Sequence, residues 1–337
     1  LTEVSLTVPI ALTCGEPAGI APEITAMAWL ALRDTPHAAF FLIGDADYFT
    51  ERATASGLTV ALTKITRPEE AERLFGTSIP VLHRPLPIHP EAGMISSKTA
   101  GNVVAAIDEA VALAISGNVS ALVTNPIQKE ALYATGFRHQ GHTDYLAWLA
   151  GREGLEVMML VAADLRVVPI TVHIPLKDVA SSITEELIIT QASVVAQDLK
   201  KYFGLTSPRL AFTGLNPHAG ENGAMGHEEQ AIIIPALERL RRNGLTVSGP
   251  LPADTAFHPQ ARANYDAILC MYHDQALIPI KTLDFHGGVN VTLGLPFVRT
   301  SPDHGTALTI AGKGTANPAS LIAALKLAGE MAKVSSG

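Results

Sequence analysis

The run Ala267-Ile268-Leu269-Cys270-Met271-Tyr272-His273-Asp274-Gln275 decides the fold class of this chain. Its apolar first half reads as a buried strand, and the polar residues that follow read as a turn carrying titratable side chains. The arrangement recurs upstream, where Leu210–Thr213 leads to Asn216-Pro217-His218-Ala219-Gly220 and Val167–Val172 leads to His173-Ile174-Pro175. Val8–Thr13, Ala39–Ile43, Ala121–Thr124, Val157–Val161 and Val289–Leu293 are further strand-like runs. Helical patterns lie between several of them, at Ser97–Ser116, Thr184–Tyr202, Glu228–Arg242 and Pro318–Lys333. The second of these sets Ile188, Ala192, Val195, Leu199 and Tyr202 on one face. Such alternation predicts an α/β protein with a mostly parallel sheet. Glycines and prolines cluster near strand ends, in Gly15-Glu16-Pro17-Ala18-Gly19, Gly249-Pro250-Leu251-Pro252 and Gly294-Leu295-Pro296, where open α/β sheets build their sites.

The chain has 337 residues, enough for two lobes or one large α/β unit. Its net charge of −8 argues against a protein that grips nucleic acid, because phosphate affinity comes from Lys and Arg. Two cysteines, Cys14 and Cys270, exclude a disulfide framework and a cysteine-based zinc module. The stretch Leu1 to Cys14 lacks the basic start and small-residue cleavage pattern of a signal peptide. The most apolar segment, Val157 to Leu176, is interrupted by Asp164, Arg166, Pro169, His173 and Pro175 and reads as core strands rather than a membrane span. A cytoplasmic protein with no membrane partner is expected.

Three histidines, His173, His218 and His273, follow strand-like runs. Neutral imidazoles bind Zn and other divalent metals, and three of them leave positions open for substrate; each also fits an ordinary hydrogen-bonded loop histidine. Gln140-Gly141-His142-Thr143-Asp144 reads as a loop entering a helix, so that His142 and Thr143 stand where backbone N–H groups favour an anion, or where Thr143 simply caps. Lys281, Asn290 and Arg299 suit a phosphate or carboxylate if they converge, and solvated surface positions if they do not. No Gly-x-Gly-x-x-Gly or Walker-type motif is present. His304-Gly305-Thr306-Ala307, followed by Gly312-Lys313-Gly314-Thr315-Ala316-Asn317, would let a nucleotide approach the backbone, or is a turn before the last helix. Cys14 has Glu16 rather than a histidine near it, which favours a buried thiol over a nucleophile.

Taken together these segments resemble the 4-hydroxythreonine-4-phosphate dehydrogenase family of pyridoxal phosphate biosynthesis. The resemblance runs from Gly15-Glu16-Pro17-Ala18-Gly19-Ile20 through Gly141-His142-Thr143, Gly214-Leu215-Asn216-Pro217-His218-Ala219-Gly220, Pro252-Ala253-Asp254-Thr255 and Met271-Tyr272-His273-Asp274-Gln275 to Gly294-Leu295-Pro296-Phe297-Val298-Arg299-Thr300-Ser301. It implies one two-lobed catalytic unit over the whole chain, with an isocitrate/isopropylmalate dehydrogenase-like fold, lobes discontinuous in sequence and an active-site cleft between them. It also implies one divalent metal (Zn, Mg or Co) on His173, His218 and His273. Substrate contacts would come from His142, Thr143, Lys281, Asn290 and Arg299. NAD, with NADP as the alternative, would sit on the loop of His304, Gly305, Thr306, Ala307 and Asn317, and the enzyme would be a homodimer with shared active sites. The implied reaction is oxidation of 4-phosphooxy-L-threonine at C3 followed by decarboxylation, with Asp254, Asp274 and Lys281 as candidates for proton transfer or ligand orientation. Ala21, Ala276 and Thr309 depart from the family pattern, the last leaving NAD against NADP open. Competing readings are a relative acting on a 4-phosphorylated threonate or erythronate or on an aromatic dihydrodiol, and, from another class, a phosphate-ligand acyltransferase or binding protein.

Overall fold

Apolar runs too short for a helix and flanked by glycine and proline become buried strands, and the computed structural model, which describes residues 8–336, contains twelve of them among those residues. In chain order they are β1 (Ile10–Thr13), β2 (Phe40–Gly44), β3 (Leu62–Ile65), β4 (Ile79–His83), β5 (Ala121–Thr124), β6 (Val157–Ala162), β7 (Leu165–Pro169), β8 (Arg209–Thr213), β9 (Thr246–Leu251), β10 (Ala267–Cys270), β11 (Val289–Leu293) and β12 (Arg299–Pro302). Residues 1–7, on which part of the signal-peptide reading rests, lie outside the described residues. Among the described residues no helix is long and apolar enough to cross a membrane.

The chain divides into two compact units, one running up to Glu153 and resuming at Leu295, the other spanning Gly154–Gly294. In the first, β3, β4, β2, β1, β5 and β12 pair in that order, every pair parallel. All residues of β1, β2 and β5 are buried, as expected of strands covered on both faces. In the second unit, β7, β10, β8 and β9 are successive parallel neighbours, while β6 runs antiparallel to both β7 and β11. The sheet is thus mostly parallel, with this reversal where two apolar runs are joined by the tight turn at Ala163, whose φ is 50°.

The helical periodicity holds closely. The expected Thr184–Tyr202 helix is Glu185–Phe203, with Thr184 outside it as a cap: its Oγ1 accepts from the N–H of Leu187 at 3.1 Å, and its five-residue apolar face is buried. Ser97–Ile115 starts after the cap Ser96, and the last helix is Ala319–Ser336. Glu228–Arg242 is not one regular helix: a π-turn over Glu229–Ile233 precedes an α-helix at Ile234–Arg242, where Pro235 lacks the N–H needed to continue the ladder. The strands absent from the sequence reading are β3, β4, β9 and β12. Gly249-Pro250-Leu251, read as a loop, is the end of β9, an edge position that tolerates proline because its outer side needs no ladder donor.

In the first unit a buried ion pair ties three loops together. Arg52 Nη2 donates to Glu23 Oε1 at 3.0 Å, with side chains 6% and 0% exposed. The same guanidinium donates to the carbonyls of Pro17 and Gly19 and to the Tyr48 hydroxyl. Glu23 Oε1 also accepts from the N–H of Gly312 at 2.5 Å. Gly19 must be glycine, because a Cβ there would stand 2.8 Å from the Thr306 carbonyl oxygen, to which the N–H of Ile20 donates. Removing one member strands the other charge in the interior, which costs on the order of 3–5 kcal/mol, whereas replacing both with apolar groups costs less. Arg52→Met should therefore lower the urea-unfolding free energy by about that amount, and Glu23→Leu/Arg52→Met by less; a single-variant loss below about 1 kcal/mol would mean that the pair is effectively solvated.

Candidate active site

Parallel pairing puts the carboxyl ends of β7, β10 and β8 side by side at one edge of the second unit, and His173, His273 and His218 follow those three ends. Cross-links hold the ends in register. The Ile170 N–H donates to the Cys270 carbonyl at 2.7 Å, and Thr171 Oγ1 donates to the Met271 carbonyl at 2.8 Å. Gln275 joins the other pair of ends: its Oε1 accepts from the Met271 N–H and the Thr213 hydroxyl, each at 2.7 Å, and its Nε2 donates to the Gly214 carbonyl at 2.8 Å.

The His173 and His273 ring centroids are 5.6 Å apart, and both rings line a cavity of ≈ 280 Å³ with Val172, Tyr272 and Asp274. His273 opens the helix His273–Leu283, and its Nδ1 lies 2.7 Å from Asp274 Oδ1. A carboxylate on Nδ1 fixes the tautomer and leaves the Nε2 lone pair free for a cation, as ligating histidines require. His218 is exposed and sits on a left-handed turn, with φ of 52°. Asp254 is exposed on the short turn Ala253–Thr255. Lys281 is in the last turn of the His273 helix, its Nζ 5.5 Å from the Phe285 ring centroid. Asn290 is in β11, and its Oδ1 is buried without a hydrogen-bond partner, which makes it an acceptor open to a ligand donor.

The first unit holds the remaining residues. His142 begins the helix His142–Leu149, but Thr143 is not the cap: the Asp144 carboxylate takes the N–H groups of Gln140 at 2.6 Å and Gly141 at 2.8 Å. Asp144 reaches back because glycine at the cap offers no side chain. The His142 Nε2 is buried without a partner although the residue is only partly covered. Burial, and then the Arg299 and Lys129 cations, hold its pKa well below the usual value of 6.5. Arg299 is no surface group: it is 2% exposed in β12, donates from Nη2 to the Thr124 hydroxyl at 2.7 Å, and desolvation brings its pKa down to about 9. On the glycine-rich loop, His304 Nδ1 donates to the Gly305 carbonyl while its Nε2 is buried without a partner. Thr306 Oγ1 donates to Gln128 Oε1 at 3.0 Å, and Ala307 is left-handed with φ of 46°. Gly305 faces open space, and Asn317 Oδ1 accepts from the Ala319 N–H at the start of the last helix.

One further set was not foreseen. Among the described residues, the group of three ligating side chains whose donor atoms all lie within 4.8 Å of one another is Asp45, Asp47 and His83, a set that could hold a metal ion. Its atoms already have local partners. Asp45 accepts from the backbone N–H groups of Asp47, Tyr48 and Leu86, His83 Nδ1 accepts from the Ala46 N–H, and Lys64 Nζ lies 2.9 Å from Asp47 Oδ2. Asp45 is thereby the N-cap of the helix Ala46–Ala55. Asp45 ahead of that helix was a readable capping signal; His83 was not, since its strand was unrecognised.

Both thiols are buried: Cys14 follows β1 and Cys270 ends β10. Desolvation, with Glu16 nearby, pushes the Cys14 thiol up to about 12, and desolvation likewise raises Cys270, so neither is a nucleophile near neutral pH.

The family profile described as pyridoxal phosphate biosynthetic protein PdxA matches residues 36–328. The chain is 51% identical over 335 residues to the 4-hydroxythreonine-4-phosphate dehydrogenase of Bradyrhizobium diazoefficiens, covering 96% of this chain and 97% of that one. It is 52% identical over 330 residues to the enzyme of the same name from Caulobacter vibrioides, with 96% and 97% covered. The crystal structure of 4-hydroxythreonine-4-phosphate dehydrogenase from Klebsiella pneumoniae superposes with a TM-score of 0.87 at 37% identity, covering 97% of this chain and 100% of that one.

The depressed His142 pKa has a measurable consequence. Below pH 6.5 the unfolded chain protonates this ring while the folded chain resists, so the unfolded state binds more protons and stability falls as pH falls. His142→Asn should therefore lose less thermal stability than the parent between about pH 7.5 and pH 5.5. Equal losses would mean that the ring already takes up its proton in the folded protein.

Proposed function

The chain belongs to the PdxA family of pyridoxal phosphate biosynthetic proteins and is an enzyme of the 4-hydroxythreonine-4-phosphate dehydrogenase kind, and from that premise we propose the substrate, cofactors and residues of its reaction. The proposed reaction oxidises 4-phosphooxy-L-threonine at the C3 hydroxyl and then releases carbon dioxide, leaving 3-amino-2-oxopropyl phosphate. What carries this reading is the standing of three imidazoles at the carboxyl ends of three neighbouring parallel strands, one of them already oriented by a carboxylate.

The donor set of His173, His218 and His273 suits a divalent cation such as Zn, Mg or Co, with His173 and His273 sharing a cavity and the His273 tautomer set by Asp274. Such a cation would supply Lewis-acid stabilisation of the negative charge that develops on the substrate at hydride loss and at decarboxylation. NAD, or NADP, on the loop of His304, Gly305, Thr306, Ala307 and Asn317 would accept the hydride; the buried, unpartnered Nε2 of His304 fits a polar atom of that cofactor. In balance, the C3 hydroxyl gives up a proton, and the carbon that loses carbon dioxide gains one. Lys281 and Asp254 are proposed for those transfers. Asp274 is better suited to orienting His273, against which it already lies.

In the first unit, Arg299, His142 and Thr143 are proposed for anionic groups of the substrate. A guanidinium whose charge is poorly solvated gains most from a bound oxyanion, and the neutral His142 ring adds a hydrogen-bonding nitrogen without further charge. In the second, Asn290 offers its unsatisfied oxygen to a substrate donor, and Lys281 contributes positive charge. A homodimer and a cytoplasmic location complete the reading. The exposed apolar side chains Leu176, Ile278 and Phe285 on the second unit, each at least 64% exposed, favour a second copy.

The test compares initial NADH formation from 4-phosphooxy-L-threonine, the 4-phosphates of threonate and erythronate, and an aromatic dihydrodiol, each with NAD and a divalent metal. The threonine derivative should lead in kcat/KM by on the order of a hundredfold, since a site that pairs the amino group leaves a buried polar atom unsatisfied with the others. No NADH from it would sink the substrate assignment. Asp274→Asn should weaken metal affinity by about 10–100-fold. Full activity after exhaustive chelation, checked by elemental analysis, would sink the metal assignment.

A further inference from the structure

His218 lies at the start of a backbone segment that L-residues avoid. His218, Ala219, Gly220, Glu221 and Asn222 follow one another at φ of 52°, 52°, 81°, 42° and 56°. A left-handed run brings each Cβ against the following carbonyl oxygen, so four non-glycine residues in this conformation persist only where the surroundings over-determine them. The neighbouring contact that does so is a carboxylate. Glu229, 1% exposed, accepts from the Asn216 N–H at 2.7 Å through Oε1 and from Asn216 Nδ2 at 2.9 Å through Oε2. It is wedged into the turn: a Cβ on Gly220 would come within 2.5 Å of its Oε2, and one on Gly214 within 3.1 Å of its Oε1. The turn closes behind it through the Met225 N–H on the Gly220 carbonyl and the Ala224 N–H on that of Glu221.

The His218 ring is exposed, so packing around it does not set its direction. Its direction is inherited from the backbone beneath. We propose that Glu229 is the positioning residue for His218: its buried carboxylate locks the left-handed turn that aims this imidazole, so that cation affinity depends on a side chain that touches no cation. The inference rests on the reading of His218 as a ligand. It assigns a task to an acidic residue that otherwise appears only as a member of a helical pattern.

The experiment is a double-mutant cycle on the full chain, stripped of metal and titrated with Zn²⁺ against a chromophoric chelator. Glu229→Gln keeps the shape but turns one acceptor oxygen into an amide that opposes Asn216 Nδ2. It should weaken Zn²⁺ binding by about 10–100-fold, in the range found when groups that orient a ligand are lost. His218→Ala should weaken it at least as much, and Glu229→Gln added to His218→Ala should weaken it no further, because the carboxylate acts through a ligand already gone. Additive losses would mean a general loosening and would overturn the proposal. Unchanged affinity in Glu229→Gln beside a loss in His218→Ala would overturn it while sparing the ligand reading, and unchanged affinity in His218→Ala would overturn both. Should Glu229→Gln not fold, Asn216→Ala removes the amide that Glu229 shares with Glu228 Oε2, and Glu228→Gln, which should leave Zn²⁺ affinity unchanged, separates the two contacts in the same comparison.

Discussion

Parallel pairing of β10 with β7 on one side and β8 on the other is the constraint on which the arrangement of the second unit's loops depends. A parallel ladder sends every chain out at the same end, so the polar turn after each strand opens at one edge. Three loops separated by dozens of residues thereby leave from one edge without a local motif, and the loops of His173 and His273 share a cavity there. The backbone and side-chain bonds past the last rungs, from Ile170 to Cys270 and from Gln275 to Met271, Thr213 and Gly214, extend that order into the turns. Gln275 is central because one amide group serves two strands at once: its oxygen accepts from Met271 past β10 and from Thr213 in β8, and its nitrogen donates to Gly214 past β8.

The first unit solves a similar problem with charge. Its loops around Gly19, Thr306 and Gly312 come from opposite ends of the chain, and no strand ladder runs between them. Arg52 and Glu23 bind the Gly19 carbonyl and the Gly312 N–H, while the Thr306 carbonyl takes the Ile20 N–H, in a setting where either charged group alone would be costly. The ion pair therefore matters less for its own attraction than for the main-chain atoms that it holds.

The strands legible in the sequence were unbroken, mostly apolar runs; β4, though buried at Ile79–Leu82, is interrupted by Pro80. Ile10–Thr13, Ala121–Thr124 and Val289–Leu293 are runs that only an interior accepts. β3 and β9 lie at the sheet's outer positions, where Thr63, Lys64 and Ser248 dilute the pattern, and β12 reads Arg-Thr-Ser-Pro with no apolar signal at all. Of the candidate site, the three histidines were visible because each follows an apolar run. What was not visible was burial: the sequence left Arg299 open between an anion contact and a surface cation, and Thr143 between an anion site and a cap, until β12 enclosed the one and Asp144 took the backbone donors beside the other. Asp45 and His83, drawn together by parallel strands, and Glu229, drawn to Asn216 by a turn, depend on distances that sequence spacing does not encode.

Cys270 ends the strand that leads to His273, a place where a reactive sulfur would compete with imidazole, and Cys14 follows β1 in the first unit. Instead both sulfurs are enclosed and keep their protons. A soft thiolate would have drawn copper or trapped zinc irreversibly, and would have offered peroxide and alkylating agents a target. With the thiols sealed in the strands, the turns beyond β7, β8 and β10 carry imidazoles and no accessible thiol. Oxidants and alkylating agents in solvent therefore meet no reactive thiolate at either position.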